Sequence, residues 1–138
     1  CVSRRVGQAF IENALVGEDL TVNGDGKEGL DFTYINDLVQ GIILSIIKSD
    51  SINQIFNITF GAARSINQLA EIVMEKFPGI KLHHKKRDGL MPERGTLSIA
   101  KAQKLLGYTP QHPVEKGFVQ YIDWYKNFAE SNPQFFKK

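Results

Sequence analysis

Apolar positions along this chain form helical stripes separated by short alternating runs. In residues 2–16, Val2, Val6, Phe10 and Ala14 share one stripe with Ile11 and Leu15 beside them, and Gly17 stands where a glycine ends a helix. Short strands are expected at residues 20–22 and 31–35; in the second region Leu30, Phe32 and Tyr34 alternate with Asp31 and Thr33. Asn36 or Asp37 is placed to cap a helix running to about Lys48, with Leu38, Ile42, Ile43, Ile46 and Ile47 as its apolar positions. Residues 55–58 read as a buried strand. Ser65-Ile66-Asn67-Gln68 is a capping box that opens a helix to about Phe77, ended by Pro78-Gly79. Residues 80–83 alternate again, and residues 87–96 are polar and irregular. Ser98 is placed to cap a short helix stopped by Gly107. Pro113 fits the first turn of a last helix, which runs to about Glu130 with Phe118, Tyr121, Ile122 and Tyr125 on its apolar face. Residues 131–138 read as a frayed tail. The mixture predicts an α/β (α+β-like) chain of short strands plus about five helices.

One segment carries a literal G-x-G-x-x-G, at Gly24, Gly26 and Gly29. A dinucleotide-binding glycine loop has to open directly into a helix, whose free N–H groups hold the pyrophosphate. Here an alternating run comes after Gly29 instead. Gly24-Asp25-Gly26 therefore reads as a turn between two strands, where glycine accommodates positive φ.

Bulk properties narrow the classes. A chain of 138 residues is one domain or part of one, and a net charge of +2 calls for neither nucleic acid nor a membrane surface. No apolar run reaches the length of a membrane span. The one cysteine, Cys1, leaves no internal disulfide and suits a reducing compartment. The chain starts inside a helix without an initiator Met, which points to a fragment or a processed product. The basic run His83-His84-Lys85-Lys86-Arg87 has no interleaved aromatics, which argues against nucleic-acid binding. Adjacent histidines on a strand face opposite sides and are poorly placed to share a metal.

Five motifs in order carry a resemblance. They are Gly24-Asp25-Gly26 with Leu30-Asp31-Phe32-Thr33-Tyr34-Ile35-Asn36-Asp37; Phe56-Asn57-Ile58 with Ser65-Ile66-Asn67-Gln68-Leu69-Ala70; the Arg-bearing loop Pro92-Glu93-Arg94-Gly95-Thr96; Ser98 to Pro110, which ends Leu105-Leu106-Gly107-Tyr108-Thr109-Pro110; and Glu115-Lys116-Gly117 leading to Trp124-Tyr125. Together they resemble the C-terminal part of extended short-chain dehydrogenase/reductases, the NAD-dependent nucleotide-sugar epimerases and dehydratases (UDP-glucose 4-epimerase-like).

The resemblance implies a nucleotide-sugar-binding C-terminal lobe over residues 1–130, with the N-terminal Rossmann lobe that binds NAD absent from this chain. It implies isomerase chemistry in a cytoplasmic parent that forms a homodimer, with no membrane partner. The family's catalytic Tyr-x-x-x-Lys is missing here: Tyr34, Tyr108, Tyr121 and Tyr125 are followed four residues on by Leu38, His112, Tyr125 and Ala129. The catalytic set in this chain is therefore none.

For substrate binding the resemblance implies Arg94, with Arg87 as its competitor, because a planar guanidinium pairs bidentately with phosphate oxygens. It also implies Thr21, Val22 and Asn23, on a strand that offers backbone groups to the base. Two positions depart from the pattern. Leu30 stands where the family has a phosphate-gripping Arg, and Asn23 where it has an aromatic. Both favour the alternative of a non-catalytic binding or structural module. Asp37 is expected to act as a helix N-cap. Val2, Val6 and Phe10 are expected to form exposed apolar surface that packs on the missing lobe.

Overall fold

A computed structural model describes residues 5–87, 89 and 94–136. Cys1, Val2, Pro92 and Glu93 lie outside the described residues. The elements in chain order are α1 (Val6–Leu15), β1 (Leu20–Asn23), β2 (Gly29–Leu30), α2 (Ile35–Ile47), β3 (Arg64–Ser65), α3 (Ile66–Lys76), β4 (Leu82–Lys85), α4 (Ala100–Leu106) and α5 (Val114–Ser131), with 3₁₀ turns at Ser49–Ser51 and Pro133–Phe135. This is a small α/β unit with five helices among the described residues, as the sequence pattern predicts.

β1 pairs in parallel with β4, Leu20 opposite Leu82 and Val22 opposite His84, and β2 pairs antiparallel with β3. Leu20 and Val22 lie on the core side of β1. There they join Phe10, Ile11 and Ala14 of α1, Leu69, Ala70 and Val73 of α3, and Phe118, Ile122 and Tyr125 of α5. A second, smaller core holds Ala102, Leu106 and Tyr108, with Leu44, Phe56, Ile58 and Ile99 packed on it.

Local chemistry accounts for the best-matched boundaries. At the start of α3, Gln68 N–H donates to Ser65 Oγ (3.1 Å) and Ser65 N–H to Gln68 Oε1 (2.8 Å), which is the predicted capping box. α4 ends on Gly107 in the left-handed region, φ +71°.

Several expectations give way. Residues 31–34 form no strand; the ladder stops at Leu30, and α2 begins at Ile35 with Tyr34 as its N-cap residue. Asp37 is thus inside the first turn and caps nothing. Residues 55–58 carry the burial alternation of a strand but have no ladder partner among the described residues, and Ile55 is 87% exposed. Ile99 precedes α4 as its N-cap in place of Ser98, and Pro113 precedes α5 as its N-cap. Phe10 is core, 2% exposed, so it is not free surface. The broad exposed apolar face belongs to α2. Beyond these, Ser131 ends α5, a 3₁₀ turn follows at Pro133–Phe135, and the Phe136 ring lies 5.9 Å from that of Tyr125.

Candidate functional site

The glycine segment is a docking turn. Gly24 and Gly26 both take positive φ, +95° and +70°. The turn is fastened to α3 by Asn67, whose N–H donates to Gly26 O (3.0 Å) and whose Nδ2 donates to Asp25 O (2.9 Å). A β-carbon on Gly26 would lie 1.8 Å from Asn67 Oδ1, so the turn accepts only glycine there. Gly29 opens β2 rather than a helix, and the first N–H groups of α3 are taken by Glu28 O, Gly26 O and Ser65 Oγ. No helix N-terminus is left open behind the glycines, so these residues do not fit a dinucleotide pyrophosphate.

Beyond this turn lies an open cleft of about 1070 Å³ between α1, β1, the segment leading into α2, and α5. Thr21, Val22, Asn23 and Arg94 all line it. Arg87 is not among its lining residues. Its side chain lies over Gly24 and its guanidinium stands 4.0 Å from the Glu28 carboxylate. Arg94 makes no hydrogen bond or ion pair with any described residue and is exposed.

The backbone of β1 alternates in direction. Leu20 N–H and Gly24 N–H donate to Lys81 O and Lys85 O beside β4, at 2.8 and 2.7 Å. The amides of Thr21 and Asn23 therefore point to the strand's other edge, where no described strand pairs. Leu30 lines the cleft and stands opposite Arg64 in the β2–β3 ladder. The Arg64 guanidinium is held by Glu115 at 2.5 Å, and that pairing keeps the Glu115 carboxyl below the usual carboxylate range.

Sequence reasoning missed three residues at this site. Arg5, the N-cap residue of α1, lines the cleft and adds a second cation. Asp31 gathers three donors: Thr59 Oγ1 at 3.0 Å, Gly61 N–H at 3.1 Å and Leu97 N–H at 3.2 Å. It thereby fastens the loop that carries Arg94.

The third is His112, which also lines the cleft. Asp37, 3% exposed, accepts from the N–H groups of Gln111 (3.0 Å) and His112 (2.9 Å). His112 Nδ1 lies 2.9 Å from the same carboxylate. An ionised carboxylate only accepts, so Nδ1 carries the proton and Nε2 is the free ring nitrogen. Burial raises the Asp37 pKa, but these donors outweigh it and the net shift is downward. The Tyr34 ring lies 4.7 Å from the His112 ring, and Gly117 leaves room for it, since a β-carbon there would meet Tyr34 at 2.9 Å.

His83 and His84 face apart, His83 to Asp19 at 2.8 Å and His84 to Asn67 at 3.0 Å. Among the described residues no three His, Cys, Asp or Glu side chains gather to hold a metal, and no helix is long and apolar enough to cross a membrane.

Residues 2–59 match the family model of the NAD dependent epimerase/dehydratase family. The chain is 31% identical over 139 residues to UDP-glucuronic acid decarboxylase 1 of Xenopus tropicalis, a match that covers 97% of this chain and 32% of that protein. The solved UDP-glucose 4-epimerase of Thermotoga maritima, in complex with UDP-glucose, superposes with TM-score 0.83 at 25% identity, over 93% of this chain and 41% of that one. The UDP-glucuronic acid 4-epimerase of Bacillus cereus, solved with UDP-glucuronic acid and NAD, superposes with TM-score 0.82 at 25% identity, over 90% and 40%. The chain spans between 32% and 38% of the length of the first three curated relatives it matches.

Proposed function

This chain belongs to the NAD-dependent epimerase/dehydratase family, and from that premise we propose that it supplies the substrate side of a nucleotide-sugar enzyme. It grips the nucleotide diphosphate of a UDP-sugar-like substrate. The observation that carries this reading is Arg94, an exposed guanidinium with no described partner, on the wall of the cleft that also takes the free edge of β1. Diphosphate oxygens suit its planar fork, and the amides of Thr21 and Asn23 suit the edge of a base. Arg5 adds positive charge on the same wall. Arg87, engaged near Glu28, serves the glycine turn rather than the ligand. Leu30 contributes apolar wall where a second phosphate-gripping Arg would otherwise stand.

The whole protein is then an NAD-dependent epimerase or dehydratase, cytoplasmic and homodimeric. NAD and the Tyr-x-x-x-Lys pair belong to the part of the protein outside this span, because the glycine turn here does not fit the cofactor. This chain contributes binding and orientation, which bring the sugar carbon to the reacting groups. Leu30 and Asn23 favour a second reading, a binding module without turnover.

A thermal-shift assay of the full-length protein with NAD tests the proposal. A UDP-sugar at a hundred times its Kd adds about 2.7 kcal/mol of stability, a shift of several degrees. No shift with UDP-sugars, alongside a clear shift with another ligand class, overturns it. Ligand stabilisation without turnover of any UDP-sugar supports the second reading.

A further inference from the structure

The cleft wall formed by the start of α5 presents a polar atom that the fold holds in place. His112 is tied twice to the Asp37 carboxylate of α2: its backbone N–H and its Nδ1 each donate at 2.9 Å. Asp37 is buried, so the anchor sits in the interior while the imidazole ring lines the cleft. The Tyr34 ring braces the imidazole, 4.7 Å between centroids, and Gly117 leaves the room that Tyr34 needs. With Nδ1 committed as a donor, Nε2 carries a lone pair. Nε2 has no partner among the described residues, and no buried side-chain nitrogen or oxygen there goes unsatisfied, so this atom opens to solvent.

The groups of the cleft follow an order along residues 29–34. At one end lie the glycine turn and the free edge of β1. At the level of Gly29 and Asp31 the loop that carries Arg94 is fastened: Leu97 N–H donates to Asp31 at 3.2 Å, and Ala63, in contact range of Gly29, donates its N–H to Thr96 Oγ1 at 2.9 Å. Tyr34 and His112 come next, at most about 14 Å along the chain from Leu30. Past them α5 adds the stacked rings of Tyr121 and Trp124, 6.0 Å apart. A nucleotide sugar is linear in the same sense, base, diphosphate, then sugar. With its base on β1 and its diphosphate at Arg94, the sugar comes to the end that holds Tyr34 and His112. An apolar wall with a few fixed polar groups sets a ligand's orientation.

We propose that His112 reads the sugar: its Nε2 accepts a hydrogen bond from a hydroxyl of the bound nucleotide sugar, and Asp37 is the positioning residue that fixes the tautomer. The proposal rests on the nucleotide-sugar reading above. A neutral imidazole that donates from Nδ1 can only accept at Nε2, so the group it selects is a hydroxyl donor rather than a carboxylate or a phosphate. The contact touches neither base nor diphosphate, and it therefore discriminates among sugars carried by the same nucleotide. A sugar without a hydroxyl at that place leaves the ring nitrogen unpaired and binds more weakly.

Titration calorimetry of the full-length protein loaded with NAD, with UDP and UDP-glucose as probes, tests this. His112→Asn keeps an amide near the Nδ1 position, within reach of Asp37, and removes Nε2. Its Kd for UDP-glucose should rise about 3- to 10-fold while its Kd for UDP and its Tm without ligand stay put. His112→Gln carries an amide to the Nε2 position and should recover most of the loss. An unchanged Kd for UDP-glucose in His112→Asn overturns the proposal. So does an equal loss for UDP and UDP-glucose, since His112 then only supports the fold of the cleft. Nitrogen-15 NMR of labelled histidine in the unsubstituted protein gives an independent readout: UDP-glucose should shift the Nε2 resonance of His112 and UDP should not. A resonance that UDP-glucose leaves in place contradicts the contact. Binding of UDP to the unsubstituted protein reports on the nucleotide-sugar reading by itself: if UDP binds and these differences are missing, only the role of His112 fails, and if neither probe binds, both fail.

Discussion

Asp37 stays ionised in a buried place because three donors from the 111–112 turn converge on it, and their net effect holds its carboxyl below the ordinary range. A carboxyl with a depressed folded pKa stabilises fully above its unfolded value of about 3.9, and that contribution is lost as pH falls through the folded value. Asp37→Asn puts an amide N–H₂ against a backbone donor and should cost about 1–3 kcal/mol at pH 7. In urea titrations the difference from the unsubstituted protein should shrink on going from pH 7 to pH 3. Asp31→Ala frees Thr59, Gly61 and Leu97 together and should also cost about 1–3 kcal/mol by chemical denaturation. The sequence pattern marked Asp37 as important and misjudged its task, because a capping residue and a long-range acceptor are the same letter. Asp31 and His112 went unread for a related reason: their partners lie tens of residues away, and local spacing holds no trace of them. Arg5 went unread because only the fold brings the start of α1 to the cleft.

At the scale of elements, reading went furthest where the chemistry is local. The capping box at Ser65 and Gln68, the glycine stop at Gly107 and the turn at Gly24 and Gly26 each depend on a few neighbouring residues, and each stands where the pattern put it. The two strands that failed did so differently. In residues 31–34 the chain leaves the ladder because Asp31 turns to serve Gly61 and Leu97. Residues 55–58 keep a strand's alternation and lack only the ladder, which no single strand can supply for itself. The glycine turn offers a direct check. Gly26→Ala meets both a positive φ and the Asn67 side chain, so it should cost about 1–3 kcal/mol and loosen the start of α3, seen as faster amide exchange near Asn67. Gly95→Ala, with nothing within 4 Å of the added carbon, is the matched control.

For the whole molecule, two cores of unequal size predict unequal stability. The larger joins α1, β1, α3 and α5, whereas the smaller, among the described residues, buries Ala102, Leu106 and Tyr108. Tyr108 is fully buried, donates to Thr59 O at 3.0 Å, and has its hydroxyl pKa pushed up to about 12 by burial and by the nearby Asp37 and Asp31 carboxylates. It is one anchor in a thin layer. Amides of α4 should therefore exchange through smaller openings than those of α3 in this chain. The sequence showed the apolar residues of α2 but not which of them a neighbour within the chain would cover. That division depends on the helix's surroundings, so the exposed face was sought on Val6 and Phe10 and found on α2. The cleft, by contrast, sits against the larger core, and α1, β1 and α5 set its walls.

Titration calorimetry of UDP into the full-length protein and its Arg94→Ala variant tests the central claim most directly. A charge-assisted bond from Arg94 to the diphosphate predicts that the variant's Kd rises about 10- to 100-fold while its Tm without ligand stays put. Equal affinity for UDP in the two proteins contradicts the account.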